Sequence, residues 1–297
     1  MKIGYPCINR TLKCQANKTF RLKSYSQERL IETVQNNIEC TEKILNFNVE
    51  HNLLFFRITS DFVPFASHPI CEYNWQDHFA GKLMVLGGFI NEYKIRISMH
   101  PDQFTLINAL DIEIFNRSHA ELLYHAQVLD LMGLDSTAKI QIHVGGIYGD
   151  KSRSISRFIN RFDLLDSSIQ RRLVIENDER LYSLEDCLLI HQGTGIPVLF
   201  DTFHHSILNN GESTYDALRS AASTWDEYGG IPMVDYSSQK PDARPGSHAD
   251  SINTDNFRHF IHDSKALDFD IMLEVKDKES SALKALQVLK EDRRFVK

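Results

Sequence analysis

Arg172-Leu173-Val174-Ile175-Glu176-Asn177-Asp178 is the stretch on which the fold turns. Its apolar residues run into a carboxylate, an amide and a second carboxylate, with helix-spaced apolar residues on either side. A short β-branched run in that setting reads as a buried strand of a parallel sheet. Loops open to solvent at the C-terminal ends of such strands, so Glu176 falls where parallel sheets carry function. The design recurs in Ile97-Ser98-Met99-His100, Ile140-Gln141-Ile142-His143, Val198-Leu199-Phe200-Asp201, Met233-Val234-Asp235 and Ile271-Met272-Leu273-Glu274. A lone strand-end carboxylate is often a helix cap, as Asp178 or Asp61 would be, and a lone histidine is ordinary. Six such endings at the same place in successive units share a cause.

Working outward, strands are expected at residues 2–5, 53–58, 95–99, 139–143, 173–176, 197–201, 231–236 and 269–274. Helical spacing fills the intervals: a first helix capped by Ser26, then helices over 74–92, 111–132, 151–165, 184–192, 214–228, 253–266 and 280–291. Eight strands alternating with eight helices predict a single (β/α)8 TIM barrel spanning residues 1–297. A doubly wound open sheet is the second choice, because no glycine-rich phosphate fingerprint follows the first strand.

Composition bounds the function. An apolar fraction of 42% over 297 residues supports one large core, and no apolar run reaches the length of a membrane span. The N-terminus enters a strand directly and shows no signal-peptide h-region. The five cysteines (Cys7, Cys14, Cys40, Cys71 and Cys187) are scattered, with no CxxC pair. That argues against a disulfide scaffold or zinc ribbon and for a reducing cytoplasm. The net charge of −7 argues mildly against a non-specific polyanion binder. It leaves room for nucleic acid where metal ions and a local basic rim reverse the sign. Such a rim is expected from Arg10, Lys13, Lys18, Arg21 and Lys23, with Lys151, Arg153, Lys240 and Arg244 beyond.

In a barrel, all the strand ends converge on one mouth. His100, His143, Glu176, Asp201, Asp235 and Glu274 then face a common cavity, and the following loops add His204 and His248. His204 is preferred to His205, since adjacent residues cannot both point inward from a strand end. Four bare carboxylates so close would repel and take up protons, and divalent metals resolve this. Imidazole with carboxylate suits zinc, manganese or ferrous iron. Some eight ligands fit two or three ions, bridged by carboxylates such as Glu176. Ions so placed activate water and stabilise the attacked and leaving oxygens of an in-line phosphoryl displacement. Glu176 is thus a catalytic candidate, and Lys276, two residues past Glu274, adds positive charge at the mouth. No G-x-S-x-G nucleophile motif is present.

At this point the chain resembles the UV damage endonucleases, metal-dependent (β/α)8 enzymes related in fold to endonuclease IV. The resemblance rests on Gly4-Tyr5-Pro6-Cys7-Ile8-Asn9, Ser98-Met99-His100-Pro101-Asp102-Gln103-Phe104, His143-Val144-Gly145-Gly146, Ile175-Glu176-Asn177-Asp178, Asp201-Thr202-Phe203-His204-His205, Tyr236-Ser237-Ser238 and Glu274-Val275-Lys276-Asp277-Lys278-Glu279. It implies an endonuclease that cuts damaged double-stranded DNA immediately 5′ of UV photoproducts, leaving a 3′-hydroxyl and a 5′-phosphate. Cyclobutane dimers and 6-4 photoproducts would be substrates, with abasic sites also cut. Up to three ions are implied, with manganese the usual assignment, at His100, His143, Glu176, Asp201, His204, Asp235, His248 and Glu274. Tyr5 and Asn9 resemble residues that meet the damaged nucleotides. Gln103 and Phe104 resemble the pair that probes the duplex and fills the gap left by flipped bases. Neither a membrane nor an obligatory protein partner is implied, and the setting is cytoplasmic, on the nucleoid when DNA is bound.

One stretch departs from the pattern. Relatives carry Lys-x-His at the end of strand seven, where this chain has Met233-Val234-Asp235. That change bears on the number and identity of the ions. Two other readings share the barrel and its cluster: a general abasic-site endonuclease, and a two-metal sugar isomerase-like enzyme, for which loops carrying Gln103 and Tyr5 would have no role.

Overall fold

A computed structural model of the chain describes residues 1–296. Eight parallel strands close on themselves in the order β1 to β8. They are β1 (Ile3–Pro6), β2 (Phe55–Ile58), β3 (Arg96–Met99), β4 (Lys139–His143), β5 (Leu173–Glu176), β6 (Val198–Asp201), β7 (Met233–Tyr236) and β8 (Asp270–Leu273). Around them lie α1 (Gln27–Glu50), α2 (Trp75–Glu92), α3 (Ile112–Leu131), α4 (Lys151–Phe162), α5 (Ser167–Gln170), α6 (Leu184–Thr194), α7 (Thr202–Ile207), α8 (Thr214–Ala222), α9 (Thr254–Asp263) and α10 (Glu279–Leu289). The expected barrel is the one observed. The two short helices α5 and α7 were not expected, and α8 stops at Ala222 rather than running on to residue 228.

Strand side chains alternate between two environments. Ile3, Phe56, Ile97, Ile140, Ile175, Phe200, Val234 and Ile271 join the large core shared with the helices. Phe55, Val174, Leu199, Met233 and Met272 form a separate cluster inside the barrel. Each of these five is essentially fully buried, which stabilises the fold by roughly 1.5–3 kcal/mol per side chain. Below this plug, Arg96 pairs with Asp270 at 2.8 Å and its guanidinium lies 5.5 Å from the Trp225 ring. Above it, the same inward parity continues into Arg57, Gln141, Glu176, Asp201 and Asp235, so the polar mouth is the next layer of one stacked interior.

Helix ends follow their caps. Ser26 accepts from the Arg29 amide at the start of α1, and Asp150 from the Arg153 amide at the start of α4. The cysteine expectation needs correction: Cys14 and Cys40 form a disulfide that ties the β1–α1 loop to α1. Both side chains are brought together by tertiary packing across 26 residues, which a search for local cysteine pairs does not detect. No described helix is long and apolar enough to cross a membrane.

Candidate metal centre and active site

Asn177 organises the mouth from the end of β5. Its side-chain amide donates to the Asp201 carbonyl and accepts from the Asp201 amide, both at 3.0 Å, locking the ends of β5 and β6 together. One Asp201 oxygen then caps α7 by accepting from the His204 amide at 2.7 Å. Its other oxygen, Oδ2, is buried with no hydrogen-bond partner. The unexpected α7 explains how neighbouring histidines part company. His204 turns back to the Asn177 carbonyl, whereas His205 lies 3.2 Å from Glu212, away from the mouth. Asp178 accepts from the Arg180 and Tyr182 amides and shapes the loop rather than capping a helix.

Two triads of potential ligands result, His100 with His143 and Glu176, and Asp201 with Asp235 and Glu274. Within each triad, ligand atoms lie within 4.8 Å of one another. His143 and Glu176 are register partners on adjacent strands, and His143 Nε2 lies 2.8 Å from Glu176 Oε1. His100 Nε2 is 3.5 Å from the same oxygen. His204 and His248 belong to neither triad but complete an arc of rings. Successive centroids are 5.3 Å (His100–His143), 5.8 Å (His143–His204) and 6.0 Å (His204–His248) apart.

The donor set fits divalent ions. Nδ1 of His100, His204 and His248 each faces a backbone carbonyl, of Pro101, Asn177 and Glu274 respectively, at 2.8–3.0 Å. A carbonyl only accepts, so each Nδ1 carries the proton and each Nε2 keeps its lone pair, the tautomer a metal ligand needs. The orphaned Asp201 Oδ2 fits the same purpose. Burial pushes the Asp201 carboxyl up to about 6 despite the opposing pull of His204. Burial also raises the Asp235 carboxyl well above its usual range, against the opposing charge of Arg57. Burial pulls the His143 imidazole down, yet Glu176 more than offsets this and lifts it to about 9. Buried carboxylates crowded in this way call for cations.

Some functional groups were not anticipated. Arg57 and Gln141 stand inside the mouth, where Arg57 donates to both Asp235 and Glu274 and Gln141 to both Glu176 and Asp235. Their signal was a polar residue at the inward parity of an otherwise apolar strand. Lys276 is exposed and pairs with Asp250 at 3.2 Å, the arrangement of a solvated rim lysine. Lys278 is the nearer lysine. Burial lowers its ammonium, with Glu274 and Arg57 among its charged neighbours. Its φ of +52° is strained for a side-chain-bearing residue.

The predicted DNA-facing residues divide. Gln103 and Phe104 are exposed on the loop after β3, Phe104 by 71%, and Phe104 lines a cavity of about 540 Å³ with Asp61, Phe65 and Tyr124. Tyr5 and Asn9 do not fit direct contact with nucleotides. Tyr5 is fully buried, donating to Asn48 at 2.6 Å and accepting from Asn9 at 2.8 Å. Asn9, also buried, accepts from the Thr11 and Leu12 amides and shapes the β1–α1 loop. Arg10, Lys13, Lys18, Arg21 and Lys23 are exposed on that loop. Lys151, Arg153 and Lys240 are instead engaged by Asp186, Asp150 and Asp250.

A (β/α)8 barrel with a His/His/Glu triad and an Asp/Asp/Glu triad at its C-terminal mouth defines a metal-dependent barrel enzyme. Comparison narrows the class. The model of the family described as UV-endonuclease UvdE matches residues 1–296. The UV DNA damage endonuclease of Clostridium perfringens is 40% identical over 98% of this chain and 71% of its own length. The crystal structure of SacUVDE superposes with a TM-score of 0.94 and 50% identity, covering 98% of each chain. Endonuclease IV from Thermus thermophilus, at 17% identity and a TM-score of 0.60 over 85% of this chain and 95% of its own, shares the fold. The chain belongs to the UV-endonuclease UvdE family.

Proposed function

We propose that this chain, acting as one catalytic barrel domain, is a UV damage endonuclease. It hydrolyses the DNA phosphodiester immediately 5′ of cyclobutane dimers and 6-4 photoproducts, with abasic sites a further substrate. The observation that carries the reading is the juxtaposition of the two ligand triads with the exposed Phe104 on the β3 loop. His100, His143 and Glu176 hold one divalent ion, and Asp201 and Glu274 hold another, with His204 and His248 adjoining. Manganese is the ion the family resemblance favours. When bound, such ions activate water and stabilise charge on the attacked and leaving oxygens. The chain itself orients the ligands: backbone carbonyls fix three imidazoles, Asn177 fixes Asp201, and Gln141 steadies Glu176. Lys278 adds a positive charge near Glu274. The reaction takes place in the cytoplasm, on the nucleoid.

Recognition uses the cost of opening the duplex. Damaged bases stack and pair poorly, so extruding them is cheaper than extruding intact ones. Phe104 supplies replacement stacking and the Gln103 amide satisfies unpaired base edges. Phe104→Ala is expected to weaken productive binding of damaged duplex by about 1–3 kcal/mol, or roughly 5- to 150-fold. Steady-state incision kinetics with metal content measured in parallel would check it; an unchanged KM and kcat would remove Phe104 from recognition.

The reading is tested by incision of end-labelled duplexes carrying one thymine dimer, one abasic site or no damage, each with Mn2+ and with a chelator. A metal-dependent nick directly 5′ of the dimer, absent from undamaged DNA, is expected. Cutting at the abasic site alone would make this a general abasic-site nuclease. No cutting of any DNA by metal-loaded protein would overturn the assignment.

A further inference from the structure

Asp235 was expected to bind metal, but both of its carboxylate oxygens are already engaged by donors. Arg57 Nη2 lies 2.9 Å from its Oδ1 and 2.8 Å from its Oδ2, and Gln141 Nε2 donates to Oδ2 at 2.6 Å. The same Nη2 donates to Gln141 Oε1 at 2.7 Å, and Nη1 donates to Glu274 Oε1. The side chains of Arg57 and Asp235 are 4% and 0% exposed, so this contact forms the floor of the mouth, out of reach of solvent. A guanidinium keeps its proton in proteins and presents planar paired donors, which makes it a permanent cation shaped for carboxylates.

We propose that the Arg57 guanidinium is the resident cation of the Asp201–Asp235–Glu274 cluster, so that the mouth takes two divalent ions and Asp235 ligates neither. The inference rests on the metal-centre reading above. An ion held by Asp235 would sit about 2–2.5 Å from its oxygens, directly against a buried guanidinium whose charge cannot be relieved. The ligand atoms free of Arg57 are the orphaned Asp201 Oδ2, and Glu274 Oε2, which is 4.0 Å from His248. Nothing else on β7 substitutes for Asp235. Met233 shares its inward parity but lies one layer lower, in the apolar plug with Phe55, Val174, Leu199 and Met272. Strand seven therefore contributes no ligand in this chain. Its place in the charge balance passes to β2. The four carboxylates Glu176, Asp201, Asp235 and Glu274, set against Arg57 and two divalent ions, leave one net positive charge, which still favours a phosphate.

The test counts ions rather than turnover. Chelated protein would be reloaded with Mn2+, desalted, and its manganese counted per chain by native mass spectrometry and elemental analysis, with circular dichroism confirming that each variant is folded. The wild type is expected to hold two ions. Asp235→Asn and Arg57→Lys are also expected to hold two, the first because Asp235 is not a ligand and the second because the charge is kept. Arg57→Met is expected to hold three, since the carboxylates it frees accept an ion in its place. Three ions in the wild type, loss of an ion in Asp235→Asn, or a folded Arg57→Met that still holds two would overturn the proposal. Should Arg57→Met fail to fold, the wild-type and Asp235→Asn counts decide. A wild type that binds none would overturn the metal-centre reading itself.

Discussion

Glu176→Gln is expected to abolish measurable incision while leaving the barrel folded. The carboxylate is 3% exposed, approached by two imidazoles and by the Gln141 amide. Burial alone would raise it, but His143 and His100 hold it well below the usual carboxylate range, so it carries full negative charge at the centre of the mouth. Glutamine keeps the shape and removes the charge that Glu176 would supply as a ligand on the proposed function. Changing a group that merely orients a ligand costs 10- to 100-fold in affinity or activity, so loss of the ligand itself should exceed about 100-fold. Incision rates on a dimer-containing duplex, alongside manganese content, check this. Activity within tenfold of the wild type would show that Glu176 is not part of the catalytic centre.

The second large effect concerns the fold. Gly4 sits on β1, paired with Phe55 on β2 and Met272 on β8. A Cβ added there would stand 1.5 Å from the Phe55 carbonyl oxygen and 2.4 Å from its carbon. Those are backbone atoms of the neighbouring strand, so no side chain can swing aside. Gly4→Ala must spread β1 from β2 and open the closed sheet. Overpacking a core costs 1–3 kcal/mol even where side chains adjust, and here the loss should exceed about 3 kcal/mol. Urea unfolding, or recovery of soluble protein where the variant does not accumulate, measures it. A midpoint equal to that of the wild type would mean that the two strands are less rigidly spaced than their pairing indicates.

What the sequence disclosed follows from periodicity. Alternation along a strand is local, so the apolar run before Glu176 and its five counterparts located both the barrel and the six residues that gather into the two candidate triads. Residues whose placement depends on distant partners were not legible. Arg57 reads as an ordinary strand polar residue until Asp235, 178 positions later, is seen against it. Trp225 continues the helical pattern after Ala222. The structure instead turns it under the barrel, where its indole donates to the Val198 carbonyl at 2.8 Å and ends α8 early. Tyr5 matched a lesion-contacting motif, yet its hydroxyl is committed to Asn48 and Asn9. Lys276 and Lys278 are separated by one residue, and only the turn into α10 decides which approaches Glu274.

The shared inward parity of the mouth residues has a consequence for how such a protein can change. Adjacent strands are spaced about 4.8 Å apart by their hydrogen bonds, and His143 and Glu176 are in register across that gap. The sheet thus acts as a fixed ruler for the candidate ligands. Inserting or deleting a single residue within a strand would turn its ligand toward the helices and lose it outright. The loops that carry Gln103, Phe104 and the basic residues after β1 are bound by no such rule. On the proposed function, damage preference can therefore drift by loop lengthening and substitution while the cleavage chemistry stays locked to the barrel.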